Sequence, residues 1–210
     1  SDGGLNMAII SNAVTIADAG AFSVSLGSMV HIKTLTASSS ATLSFVHGTA
    51  DVVLDSTYPI YKFEFINMHP ATNNVGFSVN FRDGGTSYDA TKTTTAFRAY
   101  NAENNEGAAL EYESGRDLAQ STSAQKLTTS TGNDNDKSVS GTLHLFNPSS
   151  TTFVKHFIAQ VSTLSSDNYN YNNFTAGYCN VTAAIDGVQF TMSSGNIDSG
   201  KIKLYGIKDS

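Results

Sequence analysis

Apolar residues alternate with polar ones through much of the chain, and this period of two constrains the fold more than any other feature. In residues 61–66 and 77–82 every second residue is Tyr, Phe or Val. Residues 139–146 and 201–207 follow the same pattern less strictly. Because successive side chains of a strand point to opposite faces, each segment is predicted to be a strand with one buried face.

About ten such segments occur, typically 8 to 15 residues apart. The predicted strands are residues 30–35, 41–46, 52–54, 61–66, 77–82, 139–146, 152–164, 174–181, 187–192 and 201–207. With 27 Ser, 23 Thr and 18 Asn the composition disfavours helix interiors, and one turn at residues 116–120 is the best helix candidate. We therefore predict an all-β fold, a two-sheet antiparallel β-sandwich of jelly-roll-like form.

The alternation also predicts a core and a hairpin. Segments 61–66 and 77–82 are separated by turn-forming residues 69–74, which include Pro70, so we expect them to pair as a hairpin with a long loop. Residues that share one face of their strands should point into a single core. These are Phe63, Phe65, Phe77, Val79, Leu143, Leu145, Val188 and Phe190.

No Pro-rich linker divides the chain, so residues 30–210 are predicted to form one β-sandwich domain. Residues 1–29 are either an N-terminal arm or the first strand. They contain apolar residues such as Ile9, Ile10 and Ile16, which an arm would bury on a neighbouring copy. The segment lacks the charged and apolar regions of a secretion signal, and Met7-Ala8 is typical of a native start, which leaves residues 1–6 as a short leader or added residues.

Charge and composition exclude several classes of protein. The net charge is −6 at pH 7 and the pI about 5.2, whereas nucleic-acid binding requires clustered Lys and Arg. No run of 18 apolar residues is present, so we expect no membrane insertion. The one cysteine cannot form an internal disulfide.

Catalytic motifs are absent from the sequence, and we predict no catalytic residue and no enzyme activity. Cys179 has no basic neighbour along the chain, which favours a structural thiol over a nucleophile. Glu111 and Glu113 share one face of a strand-like segment, and we interpret them as an exposed acidic face rather than the carboxylate pair of a glycosidase.

Metal ligands are equally sparse, and we predict no metal and no cofactor. His144 and His156 flank one predicted hairpin and are expected to face each other as a polar cross-strand pair, since two histidines do not complete a zinc site. Residues 133–136, Asn-Asp-Asn-Asp, lack the Gly and Glu that an EF-hand requires, so they are predicted to be a solvated loop.

A Tyr- and Asn-rich segment is the best candidate for ligand binding. It follows Asp167 and comprises Tyr169, Asn170, Tyr171, Asn172 and Asn173. Tyr supplies amphipathic area at low rotamer cost and Asn adapts its hydrogen bonds, as in the loops of binding proteins. The alternative is a long hairpin turn whose aromatic side chains pack inward.

Several strings of the sequence carry a resemblance to a known family. They are YKFEFINMHPATN at residues 61–73, SGTLHLFNPSSTTFVKH at 140–156 and SGNIDSGKIKLYGI at 194–207, with DGG at 83–85 before Tyr88, and DLAQST at 117–122. Over residues 30–207 the chain resembles a family of small virion-associated proteins of tailed bacteriophages, abundant in marine phages. The resemblance implies a phage structural protein located on the virion, and it carries over no catalytic residue.

The function expected from these observations is that of a non-enzymatic virion structural protein, either a tail-fibre or host-adhesion module or a capsid decoration protein. Its expected partners are copies of itself, other virion proteins and a host-surface glycan; the resemblance to phage appendage proteins suggests a trimer. The alternative is a lectin-like carbohydrate-binding module, and a depolymerase or glycosidase is a third reading.

Overall fold

The structure is a computed structural model that describes residues 9–11, 14–18, 21–22 and 28–209. Strands β1 (Ile9–Ser11), β2 (Val14–Asp18) and β3 (Ala21–Phe22) form an antiparallel three-stranded sheet of their own. In this part of the chain β3 pairs with β2. The apolar side chains of residues 1–27 lie outside what the structure describes, so burial of an arm on a neighbouring copy stays a prediction.

Twelve further strands form two antiparallel sheets, and no helix occurs among the described residues. The strands are β4 (Met29–Thr36), β5 (Leu43–Val46), β6 (Ile60–Pro70), β7 (Phe77–Arg82), β8 (Lys92–Ala102), β9 (Ala108–Tyr112), β10 (Gln125–Lys126), β11 (Val139–Phe146), β12 (Lys155–Leu164), β13 (Tyr169–Cys179), β14 (Gly187–Met192) and β15 (Ile197–Ile207). One sheet has the order β4-β15-β6-β11-β12-β13-β8-β9 and the other β10-β7-β14-β5. The predicted all-β sandwich is therefore confirmed, with its strands divided eight and four.

The core lies between the eight-stranded and the four-stranded sheet. All eight residues predicted to share one core are buried in a single cluster, which confirms the strand registers assigned from the alternation. Phe65 of the large sheet contacts Phe77 and Phe190 of the small sheet, at ring-centroid distances of 5.2 and 5.1 Å. Edge-to-face packing of this kind stabilises a core beyond the burial of its area.

The predicted hairpin between residues 61–66 and 77–82 is wrong. β6 lies in the large sheet between β15 and β11, whereas β7 lies in the small sheet between β10 and β14. The chain crosses from one sheet to the other through residues 71–76, and the two strands face each other across the core instead of pairing. Alternation gives the same pattern for both arrangements, because it reports which face is buried and not which strand lies alongside.

Other boundaries also differ from the predictions. Residues 116–120 contain no helix, and residues 52–54 are not a strand although Val52 and Leu54 are buried. β12 begins at Lys155 rather than at residue 152, because residues 147–154 form the preceding turn. β8 and β9 were not assigned from the alternation.

A β-bulge interrupts the pairing of β15 with β6 in the large sheet. The pairing of these strands shifts register around Ser199 and Lys201, and Gly200 between them has a φ of +119°. A Cβ atom at Gly200 would lie 2.6 Å from the Asn67 carbonyl oxygen. Both the backbone conformation and the close approach therefore require glycine at this position.

Candidate interaction surface

One half of the large sheet presents an outer face without formal charges. Four adjacent strands, β12, β13, β8 and β9, contribute alternate residues to it. We call this the neutral face; it consists of His156, Ile158, Gln160, Ser162, Leu164, Asn170, Asn172, Phe174, Ala176, Tyr178, Thr93, Thr95, Phe97, Ala99, Asn101, Ala108, Leu110 and Tyr112. It contains no Asp, Glu, Lys or Arg.

Large apolar side chains are concentrated on the neutral face. Seven large hydrophobic residues are exposed in the described part of the chain, and four lie here. Leu110 is 72% exposed, Tyr112 57%, Ile158 53% and Phe97 43%. The Phe97 ring stacks on Phe174 at a centroid distance of 4.7 Å. Contiguous exposed apolar area of this kind marks interaction sites on soluble proteins.

A hollow lies within the neutral face above the small side chain of Ala176. Ile158 on β12 and Thr95 on β8 flank Ala176 in register. His156 and Tyr178 border one end, with ring centroids 5.8 Å apart. The hollow, which we call the Ala176 hollow, has a volume of about 420 Å³. It can accept an apolar group from another molecule.

The other half of the large sheet carries charges on its outer face. Lys62 Nζ lies 2.7 Å from Glu64 Oε1 on β6, and Lys201 and Lys203 project from the neighbouring β15. Burial and the nearby charge of Lys62 lower the pKa of His144 on β11. The two halves of one sheet face therefore differ sharply in polarity.

The predicted pairing of His144 with His156 is wrong. In the β11–β12 register His144 lies opposite Ile158, and His156 lies opposite Tyr178 on β13. A twelve-residue separation is compatible with hairpin pairing, but residues 147–154 form a longer turn and displace the register. His156 instead belongs to the rim of the Ala176 hollow.

The Tyr- and Asn-rich segment is not a loop, because it forms the start of strand β13. The strand period separates its five residues. Asn170 and Asn172 lie on the neutral face, whereas Tyr169, Tyr171 and Asn173 point to the other side. A role of the whole segment in ligand binding stays a prediction.

The inward-facing members of this segment contact an ion-pair network. The Arg98 guanidinium carbon lies 4.4 Å from the centroid of the Tyr171 ring, and Asn173 Oδ1 accepts a hydrogen bond of 2.7 Å from buried Arg116. Arg98 pairs with Glu111 at 2.6 Å and with Glu113 at 2.8 Å. The interpretation of the two glutamates as an exposed acidic face is therefore wrong.

Tyr169 also lines a polar cavity where the β8–β9 and β12–β13 turns meet. The cavity has a volume of about 270 Å³ and is otherwise lined by Glu103, Asn104, Asp167 and Asn168. The Tyr169 and Tyr171 rings stack at a centroid distance of 5.9 Å behind it. Carboxylate and amide groups beside a Tyr ring can accept and donate hydrogen bonds to a polar ligand.

Cys179 is buried, which fits the structural thiol expected from the sequence, but it has basic neighbours in space. Lys92 and Lys155 lie opposite it in register on the two adjacent strands. Lys92 Nζ donates to the carbonyl oxygens of Ala90 and Ser123, both at 2.9 Å. Burial raises the pKa of Cys179 to about 12 against the opposing effect of both lysines. The thiol is therefore protonated at neutral pH and is a poor nucleophile.

No group of three or more His, Cys, Asp or Glu that could hold a metal ion occurs among the described residues. In the loop predicted from residues 133–136, Asp134 pairs with Lys137 at 2.8 Å. Within the same part of the chain no helix is long and apolar enough to cross a membrane.

Sequence signals for the neutral face exist, although the predictions did not use them. Alternate positions of residues 93–101 and 156–164 carry no charged residue, yet few are large enough to be core. An outer strand face without any charged residue is unusual on a sheet exposed to water.

Neither a known protein family nor a curated protein matches the sequence. Among solved structures, the chain is similar to a protein of unknown function from Bacteroides ovatus, whose crystal structure was determined at 2.40 Å. The match has a TM-score of 0.27 and 6% identity, and it covers 56% of this chain and 45% of that one. The chain thus matches less than half the length of that protein, and a similarity of this extent supports no statement about function.

Proposed function

We propose that the chain is a non-enzymatic structural protein of a bacteriophage virion, a β-sandwich subunit that assembles through its neutral face. The phage assignment rests on the sequence strings at residues 61–73, 140–156 and 194–207. Assembly rests on one observation, the concentration of exposed apolar side chains on a sheet face that carries no charge. In this proposal the neutral face would join the subunits of a tail-fibre or host-adhesion module, or of a capsid decoration protein.

Electrostatics favours contact between copies at this face. Each copy carries a net charge of −6, so approach of two charged surfaces of the same sign is unfavourable. The neutral face avoids this repulsion. Burial of its exposed apolar area contributes about 25 cal/mol per Å² to association before the entropic cost of binding is subtracted.

Sedimentation velocity of the purified protein tests the proposal. The wild type should sediment as an oligomer, and the double substitution Phe97→Lys with Ile158→Lys should give a folded monomer, because two charges would be buried without partners. Ile66→Lys is the matched control, since Ile66 is exposed on the outer face of β6 in the charged half of the same sheet. A monomeric wild type at high concentration, or an oligomer that survives the double substitution, contradicts the proposal.

A lectin-like module is the second candidate, favoured by the polar cavity beside Tyr169. Sugars present hydroxyl groups at the edge of the ring and C–H groups on its face, which match the carboxylates of Glu103 and Asp167 and the ring of Tyr169. A glycan array should then show binding that Tyr169→Ala abolishes and that Tyr205→Ala, on the charged half of the sheet, retains. Equal signals from both variants contradict this candidate.

A further inference from the structure

We infer that the Ala176 hollow is a socket for Phe153 of a second copy of this chain. The inference rests on the proposed self-assembly and names the side chains that carry it. It combines three features of the molecule: an apolar hollow, a projecting aromatic side chain outside that hollow, and a surface free of charge where the two would meet.

The hollow has the size and polarity for a phenyl ring. An enclosed cavity of about 150 Å³ is sufficient to bind benzene, and the Ala176 hollow, which is open to solvent and would be closed over by the second copy, has about 420 Å³. Its outward-facing walls are Ile158, Thr95 and the rings of His156 and Tyr178. No formally charged side chain lines it, so insertion of an apolar ring leaves no buried charge without a partner.

Phe153 is presented by an anchored turn. Its side chain is 70% exposed, although the turn around it is held by hydrogen bonds. Ser150 Oγ accepts from the backbone N–H groups of Thr152 at 3.2 Å and Phe153 at 2.9 Å. The Ser150 carbonyl accepts from Lys155 Nζ at 3.2 Å. An exposed aromatic ring on an ordered backbone loses little conformational entropy when it docks.

Phe153 does not occupy the hollow of its own chain, because its ring is largely exposed and is not part of the lining of the hollow. The socket and the inserted side chain are different groups, and in a trimer they meet head to tail rather than reciprocally about a two-fold axis. Each copy then offers its socket and its Phe153 to different neighbours, and successive contacts close into a ring when the rotation permits. The trimer expected from the resemblance is one such ring.

Two substitutions test the two sides of this contact, the Ala176 hollow and the Phe153 ring, one at a time. Ala176→Leu fills the socket and leaves Phe153 intact, whereas Phe153→Ser removes the inserted ring and leaves the socket intact. At a concentration where the wild type is oligomeric, each variant alone should be monomeric, with association weakened at least tenfold. Ala41→Leu is the control, since Ala41 is exposed just before β5 of the small sheet and lies outside both the neutral face and the hollow. Circular dichroism verifies that every variant is folded.

Mixing the two variants gives the decisive result. The Phe153 of Ala176→Leu should enter the socket of Phe153→Ser, so an equimolar mixture should form a 1:1 heterodimer and no larger species. A mixture that stays monomeric, or either single variant that keeps the wild-type mass, overturns the inference. If Phe153→Ser remains oligomeric while Phe97→Lys with Ile158→Lys dissociates, the socket is refuted and assembly through the neutral face stands. A monomeric wild type refutes both.

Discussion

Lys92 is fully buried, and we expect its burial to make the stability of the protein depend on pH. Burial lowers the pKa of Lys92 to about 8 from its ordinary value of 10.5. Between these values the unfolded chain holds the proton and the folded chain has released it, so raising the pH favours the folded state. We predict that the wild type gains stability relative to Lys92→Met between pH 7 and pH 9.

The size of the effect follows from proton linkage. Lys92 alone raises the free energy of unfolding by about 1 kcal/mol between pH 8 and pH 9. Cys179 acts in the opposite direction, because its raised pKa lowers the free energy of unfolding by about 0.4 kcal/mol by pH 9. Both proteins contain Cys179 in the same buried position, so the loss cancels in the comparison. Met replaces the buried stem with an apolar chain of similar length.

Urea denaturation of both proteins at pH 7, 8 and 9 measures the difference. The free energy of unfolding of the wild type minus that of Lys92→Met should increase by about 1.3 kcal/mol between pH 7 and pH 9. A difference that stays constant across this range would refute the reasoning, because it would mean that the hydrogen bonds to Ala90 and Ser123 keep the ammonium charged at its ordinary pKa. A decrease would refute the sign as well.

Three further perturbations have defined outcomes. Phe65→Ala should lower the free energy of unfolding by about 3–5 kcal/mol, whereas Phe153→Ala should cost less than about 0.5 kcal/mol, both measured in urea at a concentration where the protein is monomeric. Gly200→Ala should cost more than Gly84→Ala, because both have positive φ but only Gly200 is closely approached by backbone atoms; equal losses would show that φ alone matters. EDTA should leave the melting temperature unchanged; a fall of several degrees would contradict this, and Asp134 and Asp136 would be the first candidate ligands.

The strands that could be assigned from the sequence are those whose inward residues are apolar. β6, β7, β11 and β14 alternate Phe, Val or Leu with polar residues, and their buried faces agree with the structure. β8 was missed because its inward residues include Lys92, Thr94 and Arg98. Their burial depends on partners far along the chain, such as the Ser123 carbonyl, Gln125 and Glu113. No local pattern encodes such partners.

The candidate surface was equally hard to assign, because it is assembled from four strands. The composition of the Tyr- and Asn-rich segment predicts ligand binding, yet the strand period places Asn172 and Tyr171 on opposite sides of the sheet. The Ala176 hollow exists because a small residue on β13 lies between Ile158 and Thr95 on separate strands. Such a juxtaposition depends on register between segments, which alternation within one segment does not determine.

Because Cys179 is buried, the rate at which its thiol is labelled reports how often this part of the sheet opens. Cys179 is the one thiol of the chain, and a thiol reagent can reach it only after β13 has separated from its neighbours or the whole sandwich has unfolded. When reclosing is faster than labelling, the rate of labelling divided by the rate for an exposed thiol gives the equilibrium constant of that opening. One label per chain therefore reports the dynamics of the β8–β13–β12 ladder without any engineered probe.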